Sequence, residues 1–322
     1  MVVNEPVFAE LIMSAPLQRL KGINQAGPSQ YVAKGKTATR YEHSIGVAML
    51  LRKLGACIEE QIAGLLHDVA HTAYSHVADF VFENETQEVH EAHLERIIFE
   101  SEIPYILRKH GFDAEKILEI ERFTLLERPL PYLCADRVNY TLRDSAAMQN
   151  TTKDAQYFLE HLKIADNEIM MDSAEPAIRF GKLYLDLDKT MWADPREVAV
   201  VKIMAEAIQL ALKSGELSIN DLFYDDSHIA NKLRKSTNER IHNKLSLLSP
   251  DLRVTEDQKH FDFFCRTKPR YINPKYINPK THNYGLNRVT EVYPEFKGEI
   301  EVHKKRIQDG LYIRVLKPET KL

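Results

Sequence analysis

The amino-acid sequence predicts a mainly α-helical protein with a smaller α+β module at its C-terminal end. Three observations predict it. Between about residues 41 and 248 apolar residues recur at three- and four-residue spacing, the period of a helix face. After Pro250 this period gives way to aromatic and β-branched stretches (HFDFFCR, YINPKYINPK, RVTEVYP, DGLYIRVL) cut by Pro and Gly, which read as short strands and loops. The charge shifts over the same region. From Phe261 to Leu322 there are 13 Lys and Arg against 7 Asp and Glu, a net of +6 in a chain whose total is −4. The expected division is 1–248, helical, and 249–322, mixed strand and loop.

Each element has its own signals. Ile45, Ala48, Met49, Leu51 and Arg52 follow helical spacing, and Leu54-Gly55 supplies a stop. Ile58, Ile62, Leu65, Leu66 and Val69 form the stripe of a second helix. Val89 to Phe99 is a third, Ala114 to Leu126 a fourth that ends before Pro129, and Tyr132 to Met148 a fifth. Arg196 to Lys213 is a sixth, with Pro195 at its start and Gly215 just past its end. Between the fifth and sixth, LKIADNEIMM (162–171) reads either as a short hairpin or as a helix–loop–helix link. The duplicated YINPK (271–275 and 276–280) is too short an array for a repeat fold, which needs about three units. It reads as a Pro-punctuated loop.

Composition bounds the function. Hydrophobic residues at 44% and charged residues at 28% are ordinary for a globular chain of 322 residues, long enough to bury a substantial core. No run of about 18 apolar residues indicates a membrane span, so no membrane partner is expected. The N-terminus has no basic segment ahead of an apolar one, so no signal peptide is expected. Cys57, Cys134 and Cys265 are far apart and odd in number. They form no disulfide framework or zinc ribbon, which fits a reducing, cytoplasmic setting. Net negative charge argues against a dedicated nucleic-acid binder.

The chemistry concentrates in HDVAHTAYSH (67–76), where three of the 13 histidines and an aspartate follow a buried stripe. If the second helix continues through His71, then His67 and His71 share a face one turn apart. HDxxH then invites comparison with the HExxH of zinc proteases. Against that, Asp reaches a metal-bound water less easily than Glu, and no third ligand has a zincin spacing. Polar groups that continue a buried stripe need a partner, and a cation supplies one. His43, near the start of an amphipathic helix, and Asp136, flanked by Leu133, Cys134, Ala135 and Val138, are inward-facing candidates to join His67 and Asp68. Two imidazoles and two carboxylates suit a hard or borderline divalent ion, with Mn, Fe, Zn, Mg and Ni all open.

Five stretches in order give these residues a context: APLQRLKGINQAG (15–27), TRYEHSIGVAMLL (39–51), AGLLHDVAHTAYSHVADF (63–80), VHEAHLERII (89–98) and ADRVNYTLRDS (135–145). Together they resemble the HD-domain metal-dependent phosphohydrolases, in particular their dNTP triphosphohydrolase-like branch. The resemblance implies a helical HD core and a divalent metal on His43, His67, Asp68 and Asp136. It implies catalytic histidines at His71 and His90, with Asp79 supporting them, and substrate contacts at Gln25, Arg40, Arg137, Tyr140 and Asp144. His76 is left without a role, and His93 reads as a surface residue. The implied substrate is a nucleotide or other phosphate ester, attacked by metal-activated water with a histidine as acid. Homo-oligomerisation rests on the resemblance alone.

The sequence also departs from that branch. Gln25 is followed by Ala26 where the relatives carry a bulky residue against the sugar, which weakens any gate against ribose. Met191 and Ala199 stand where the relatives use an Arg and a Tyr, and Arg196, the only nearby arginine, is the candidate to replace the missing charge. Two alternatives accompany the hydrolase reading: a non-catalytic metal- and nucleotide-binding module, and an HD-type phosphodiesterase.

Overall fold

The computed structural model describes residues 5–83, 89–149, 152–278 and 285–316. Three helices frame the histidine cluster: Arg40–Lys53, Ile58–Leu66 and Ala135–Gln149. The first begins at a capping box. The Thr39 side chain accepts from the Glu42 N–H, and the Glu42 carboxylate accepts from the Thr39 N–H. Arg52 and Lys53 in its last turn oppose the helix dipole. Two glycines let the three helices close on one another. A Cβ on Gly64 would strike Leu51, and a Cβ on Gly46 would strike Asn139 and Arg143. Val47, Leu51, Ile62, Leu65, Leu66 and Val138 fill the space between them.

The second helix stops at Leu66, earlier than its apolar stripe suggests. Residues 67–70 form turns, and the His71 N–H closes onto the Asp68 carbonyl at 3.0 Å. His67 and His71 therefore do not share a helix face. Arg19 clamps the turn from outside, donating to the carbonyls of Val69 (2.6 Å) and His71 (2.8 Å).

Other expectations also shift. The helix expected over 114–126 is only Ala114–Leu118, followed by a 3-10 turn at Ile120–Arg122. Its remainder is loop because the buried Glu60 carboxylate takes the N–H groups of Leu125 (2.7 Å) and Leu126 (3.0 Å). RVTEVYP is not a strand. Leu286–Arg288 is extended, but Val289–Val292 is a helical turn leading into the long helix Pro294–Asp309. That helix had a Pro at its start and Gly310, at φ 84°, just past its end. LKIADNEIMM is the hairpin Leu162–Ala165 and Glu168–Met171, turning through Asp166 and Asn167 at positive φ. Within the YINPK pair, Lys275–Ile277 is a strand rather than loop, while 279 and 280 fall outside the described residues.

The C-terminal stretch is woven into the helical part. Lys275–Ile277 joins the 162–171 hairpin to Leu286–Arg288 in a four-stranded sheet, meeting Met171 in parallel. Ile272, Tyr276, Val289 and Phe296 share a core with Phe180 and Tyr184 of the helix Ala174–Leu187. A second sheet orders Arg253–Glu256, Leu311–Leu316 and Phe263–Cys265. It packs Phe263, Leu311 and Ile313 on Val198 and Ile203 of the helix Pro195–Lys213. Among the described residues, no helix is long and apolar enough to cross a membrane.

Candidate metal centre and active site

The structure brings together His43 and Asp136 from two of the framing helices and His67 and Asp68 from the turn that follows the third. His43 is wholly buried. Its Nδ1 lies 2.9 Å from Asn139 Oδ1. That oxygen can only accept, so Nδ1 carries the proton and Nε2 is left as an electron-pair donor. Nε2 faces Asp136 Oδ1 at 2.9 Å and Asp68 Oδ2 at 3.7 Å. His67 is arranged the same way. Its Nδ1 donates to the Gly64 carbonyl (2.8 Å), one turn back in the helix it caps. Its Nε2 is buried without a hydrogen-bond partner, 3.4 Å from Asp68 Oδ1 and 3.6 Å from Asp136 Oδ1.

Converging donors with no proton donor between them are the signature of a cation site. Ligand atoms of His43, His67 and Asp68 all lie within 4.8 Å of one another, and Asp136 completes the set beside the two histidines. The electrostatics agree. Burial alone would lower the His67 pKa, but Asp68 and Asp136 outweigh it and raise it to about 9. The cluster's negative charge thus draws a proton that a divalent ion would displace. Burial works against ionisation of Asp68 too, yet Arg40, His67 and His71 hold its carboxyl well below the usual range.

The remaining histidines form a second group against the first. His71 is buried, with Nε2 3.2 Å from Asp68 Oδ1 and an unpartnered Nδ1. Its ring stacks on His90 at 3.8 Å between centroids. His76 stands edge-on to both, 5.0 Å from His71 and 5.7 Å from His90. Asp79 does not bond to His71 or His90. Its Oδ2 lies 2.9 Å from His76 Nδ1, and its Oδ1 accepts the Val89 N–H at 3.0 Å. The residue that sequence reading leaves without a role is thus the one that the carboxylate orients. The His-x-x-Asp spacing at the start of the helix Val77–Val81 was the available signal. His76 is also the more accessible of the pair, with its side chain 33% exposed against 3% for Asp79. Burial pushes the His90 pKa down to about 3 and lowers that of His71 as well. His93 lies half-buried, edge-on to Phe223, outside this group.

The predicted substrate contacts divide. Arg40 is buried, and its guanidinium is engaged by Asp68 Oδ2 (2.7 Å) and Ser75 Oγ (3.0 Å). Arg137 donates to the Tyr132 carbonyl (3.0 Å) and Glu127 Oε1 (2.8 Å), and touches Cys134 Sγ at 3.1 Å. It is the cation beside Glu127 and Cys134. Gln25 follows Asn24, whose carbonyl accepts from Ser75 Oγ, and keeps its buried Oε1 unpartnered. Tyr140, one turn after Asp136, shares a hydroxyl hydrogen bond of 2.5 Å with Tyr184. Asp144 accepts the Trp192 indole N–H at 2.7 Å. Trp192 meets Tyr140 and Tyr184 edge-on at 5.1 and 5.0 Å. This aromatic wall was not anticipated, although Trp192 is the chain's one tryptophan. Arg196 does not supply the missing charge. Its Nη2 is spent on the carbonyls of Val32 (3.0 Å) and Pro250 (2.8 Å).

Comparison with known proteins places this geometry. The HD domain model matches residues 40–140, the stretch that holds all four converging donors. A metal-dependent phosphohydrolase, cns2, from Cordyceps militaris is 35% identical over 74% of this chain and 71% of its own length. The chain belongs to the HD-domain metal-dependent phosphohydrolases. It is a hydrolase of phosphate ester bonds, and its cofactor is a divalent metal ion. An uncharacterized protein of Bacillus subtilis, YdhJ, is similar to this HD phosphohydrolase throughout, 42% identical over 97% of this chain and 95% of that one. The deoxynucleoside triphosphate triphosphohydrolase SAMHD1 of Xenopus laevis is 37% identical over 23% of this chain and 14% of its own. A crystal structure of a hypothetical protein from Aquifex aeolicus shares the fold, with a TM-score of 0.65 at 23% identity, over 92% of this chain and 89% of that one.

Proposed function

We propose that this HD phosphohydrolase cleaves a phosphate ester or anhydride of a nucleotide. In this reading His43, His67, Asp68 and Asp136 hold the metal, and His76, oriented by Asp79, is the general acid. The observation that carries it is the buried, unpartnered His67 Nε2, facing two carboxylates beside a second imidazole whose proton is held on its far nitrogen. When bound there, a divalent ion supplies Lewis acidity toward a phosphoryl oxygen and lowers the pKa of water.

The chain's own groups supply the rest. Asp79 fixes the His76 tautomer with the proton on Nδ1, so the other ring nitrogen is the one that exchanges a proton with substrate. Burial lowers the His76 pKa while Asp79 opposes that effect. An approaching phosphate dianion adds negative charge and moves it back up, so protonation accompanies substrate binding. His71 and His90, both depressed, stay neutral at pH 7 and pack the ring cluster. His71 Nε2, held at Asp68, then steadies a metal-binding carboxylate rather than the leaving group.

A nucleotide is supported by the half-buried rings of Tyr140 and Trp192, backed by the buried Tyr184 and with Asp144 at their edge, which offer aromatic surface to a sugar and base. The short SAMHD1 match points the same way. With Ala26 after Gln25, ribonucleotides should be accepted as well as deoxyribonucleotides. The test is a panel of nucleoside mono-, di- and triphosphates, cyclic nucleotides and simple esters, with several divalent metals and product identification. Tripolyphosphate release would assign attack to the α-phosphorus. If every nucleotide stayed intact while a non-nucleotide ester was hydrolysed, the substrate assignment would fall and the metal assignment would stand.

A further inference from the structure

His76 enters the site on a turn that the backbone does not favour. Tyr74 and Ser75, just ahead of it, both sit in the left-handed region, at φ 59° and 56°. There a Cβ crowds the following carbonyl, so the conformation lasts only where surrounding groups over-determine it. Those groups come from two distant stretches. The Ala73 N–H donates to the Leu222 carbonyl at 2.8 Å, and Ser75 Oγ donates to the Asn24 carbonyl at 2.6 Å. Gly27, itself at φ 58°, lets the 24–27 stretch lie on the turn, because a Cβ there would meet the Tyr74 carbonyl at 2.7 Å.

We propose that Asp226, the first residue of the helix Asp226–Lys235, is a positioning residue for the general acid, latching the 72–75 turn that carries His76. The proposal rests on the reading of His76 as the acid. Asp226 is buried, and it joins the two supports of the turn to one another. Its Oδ1 accepts the Tyr74 N–H at 2.6 Å. Its Oδ2 accepts the Asn24 N–H at 3.0 Å and Gln30 Nε2 at 3.2 Å. Burial raises its pKa to about 6 against the pull of these donors, so at pH 7 it is a carboxylate that accepts at both oxygens.

The route from the latch to the acid is short. Tyr74 and Ser75 set the direction in which the chain enters the helix Val77–Val81, where Asp79 Oδ2 lies 2.9 Å from His76 Nδ1. The metal donors depend on other partners. Asn139 fixes His43, and the Gly64 carbonyl fixes His67. Arg40 Nε donates to Ser75 Oγ at 3.0 Å, but its bond to Asp68 is made separately by Nη1. Loss of the latch should therefore displace the acid and spare the metal.

The test is a double-mutant cycle on the full-length, metal-loaded protein, read as kcat and KM with an ester the wild type hydrolyses. In Asp226→Asn, either orientation of the amide turns its NH2 group toward a backbone N–H, so one tie is lost. kcat should fall about ten- to hundredfold, the scale of a misplaced catalytic group, with KM and metal content little changed. Made in His76→Gln, the same substitution should cost almost nothing more, because the group it positions is already gone. Asn238→Ala is the control. It removes the cap of the neighbouring helix Glu239–Leu247, and should lower Tm while leaving kcat as it is. If Asp226→Asn does not fold, Asp226→Glu takes its place in the cycle, since it keeps the acceptors but shifts them by a methylene. Additive losses with His76→Gln, an unchanged kcat in the Asp226 variant, or an equal kcat loss in Asn238→Ala overturns this proposal and leaves the acid assignment standing. An unchanged kcat in His76→Gln alone removes the acid assignment and this proposal with it.

Discussion

The donor cluster and the aromatic wall belong to one site but are assembled from different ranges of chain. His43, His67, Asp68 and Asp136 all lie inside residues 40–140, on or just past helices whose caps, stops and glycines are local features. Their second nitrogens and oxygens are held by close partners such as Gly64 and Asn139. The wall draws Tyr140 from one helix, Tyr184 from another and Trp192 from a turn. In the proposed reading the contrast separates chemistry from recognition. The cluster can stay constant while the wall changes, because no residue of the wall is needed to orient a donor.

The first way to break that comparison is at the donors. Replacing His67 or Asp136 by Ala should eliminate metal binding and turnover together, read by metal analysis of the purified protein beside a product assay. A variant that kept its metal would refute the ligand assignment. Next in size is the acid. His76→Gln should lower kcat by about 10²–10⁴-fold, the usual scale of general acid catalysis, with metal content intact. Asp79→Asn should follow it with a smaller loss and a displaced pH–rate profile. If His71→Gln lost turnover with the profile of His76→Gln while His76→Gln stayed active, the two roles would have to be exchanged.

Gly46 sharpens the comparison, because it tests how a donor is held. Gly46→Ala should push Asn139 away from His43 Nδ1 and weaken metal affinity by about 10–100-fold, without removing any ligand. Tyr184→Phe, in the wall, strands the Tyr140 hydroxyl. It should raise KM by about ten-fold or less and leave metal affinity alone.

The smallest effect concerns pH and the ion-free protein. The folded pKa of His90 is about 3, below the ordinary histidine value of about 6.5. The unfolded chain therefore takes up this proton first. The stability contributed is present above about pH 6.5 and drains away as pH falls toward 3. Thermal unfolding from pH 7 to 4 should show a decline that His90→Gln makes shallower.

Much of the helical half could be read from spacing. The stripe of the second helix, the start of the Pro195–Lys213 helix and the hairpin option at 162–171 all rest on local signals that the structure uses. What spacing could not show were decisions made at a distance. The helix expected over 114–126 fails because Glu60 collects two N–H groups from its far end. The helix Pro294–Asp309 was hidden by a β-rich prefix, although its Pro and Gly were in view. The 249–322 stretch, set apart by composition, packs its apolar residues into cores shared with the helices.

By itself the sequence pointed to the candidate donors. Their order along the chain resembles a known set, and the fold brings the side chains of His43, His67, Asp68 and Asp136 together as that resemblance implies. Only the tertiary structure decided which histidine Asp79 orients, since His71, His76 and His90 differ in ring orientation and neighbours rather than in residue type. It also decided that Arg40 and Arg137 are spent within the protein. A charge is assigned by what surrounds it in three dimensions, and those surroundings come from segments that spacing does not relate.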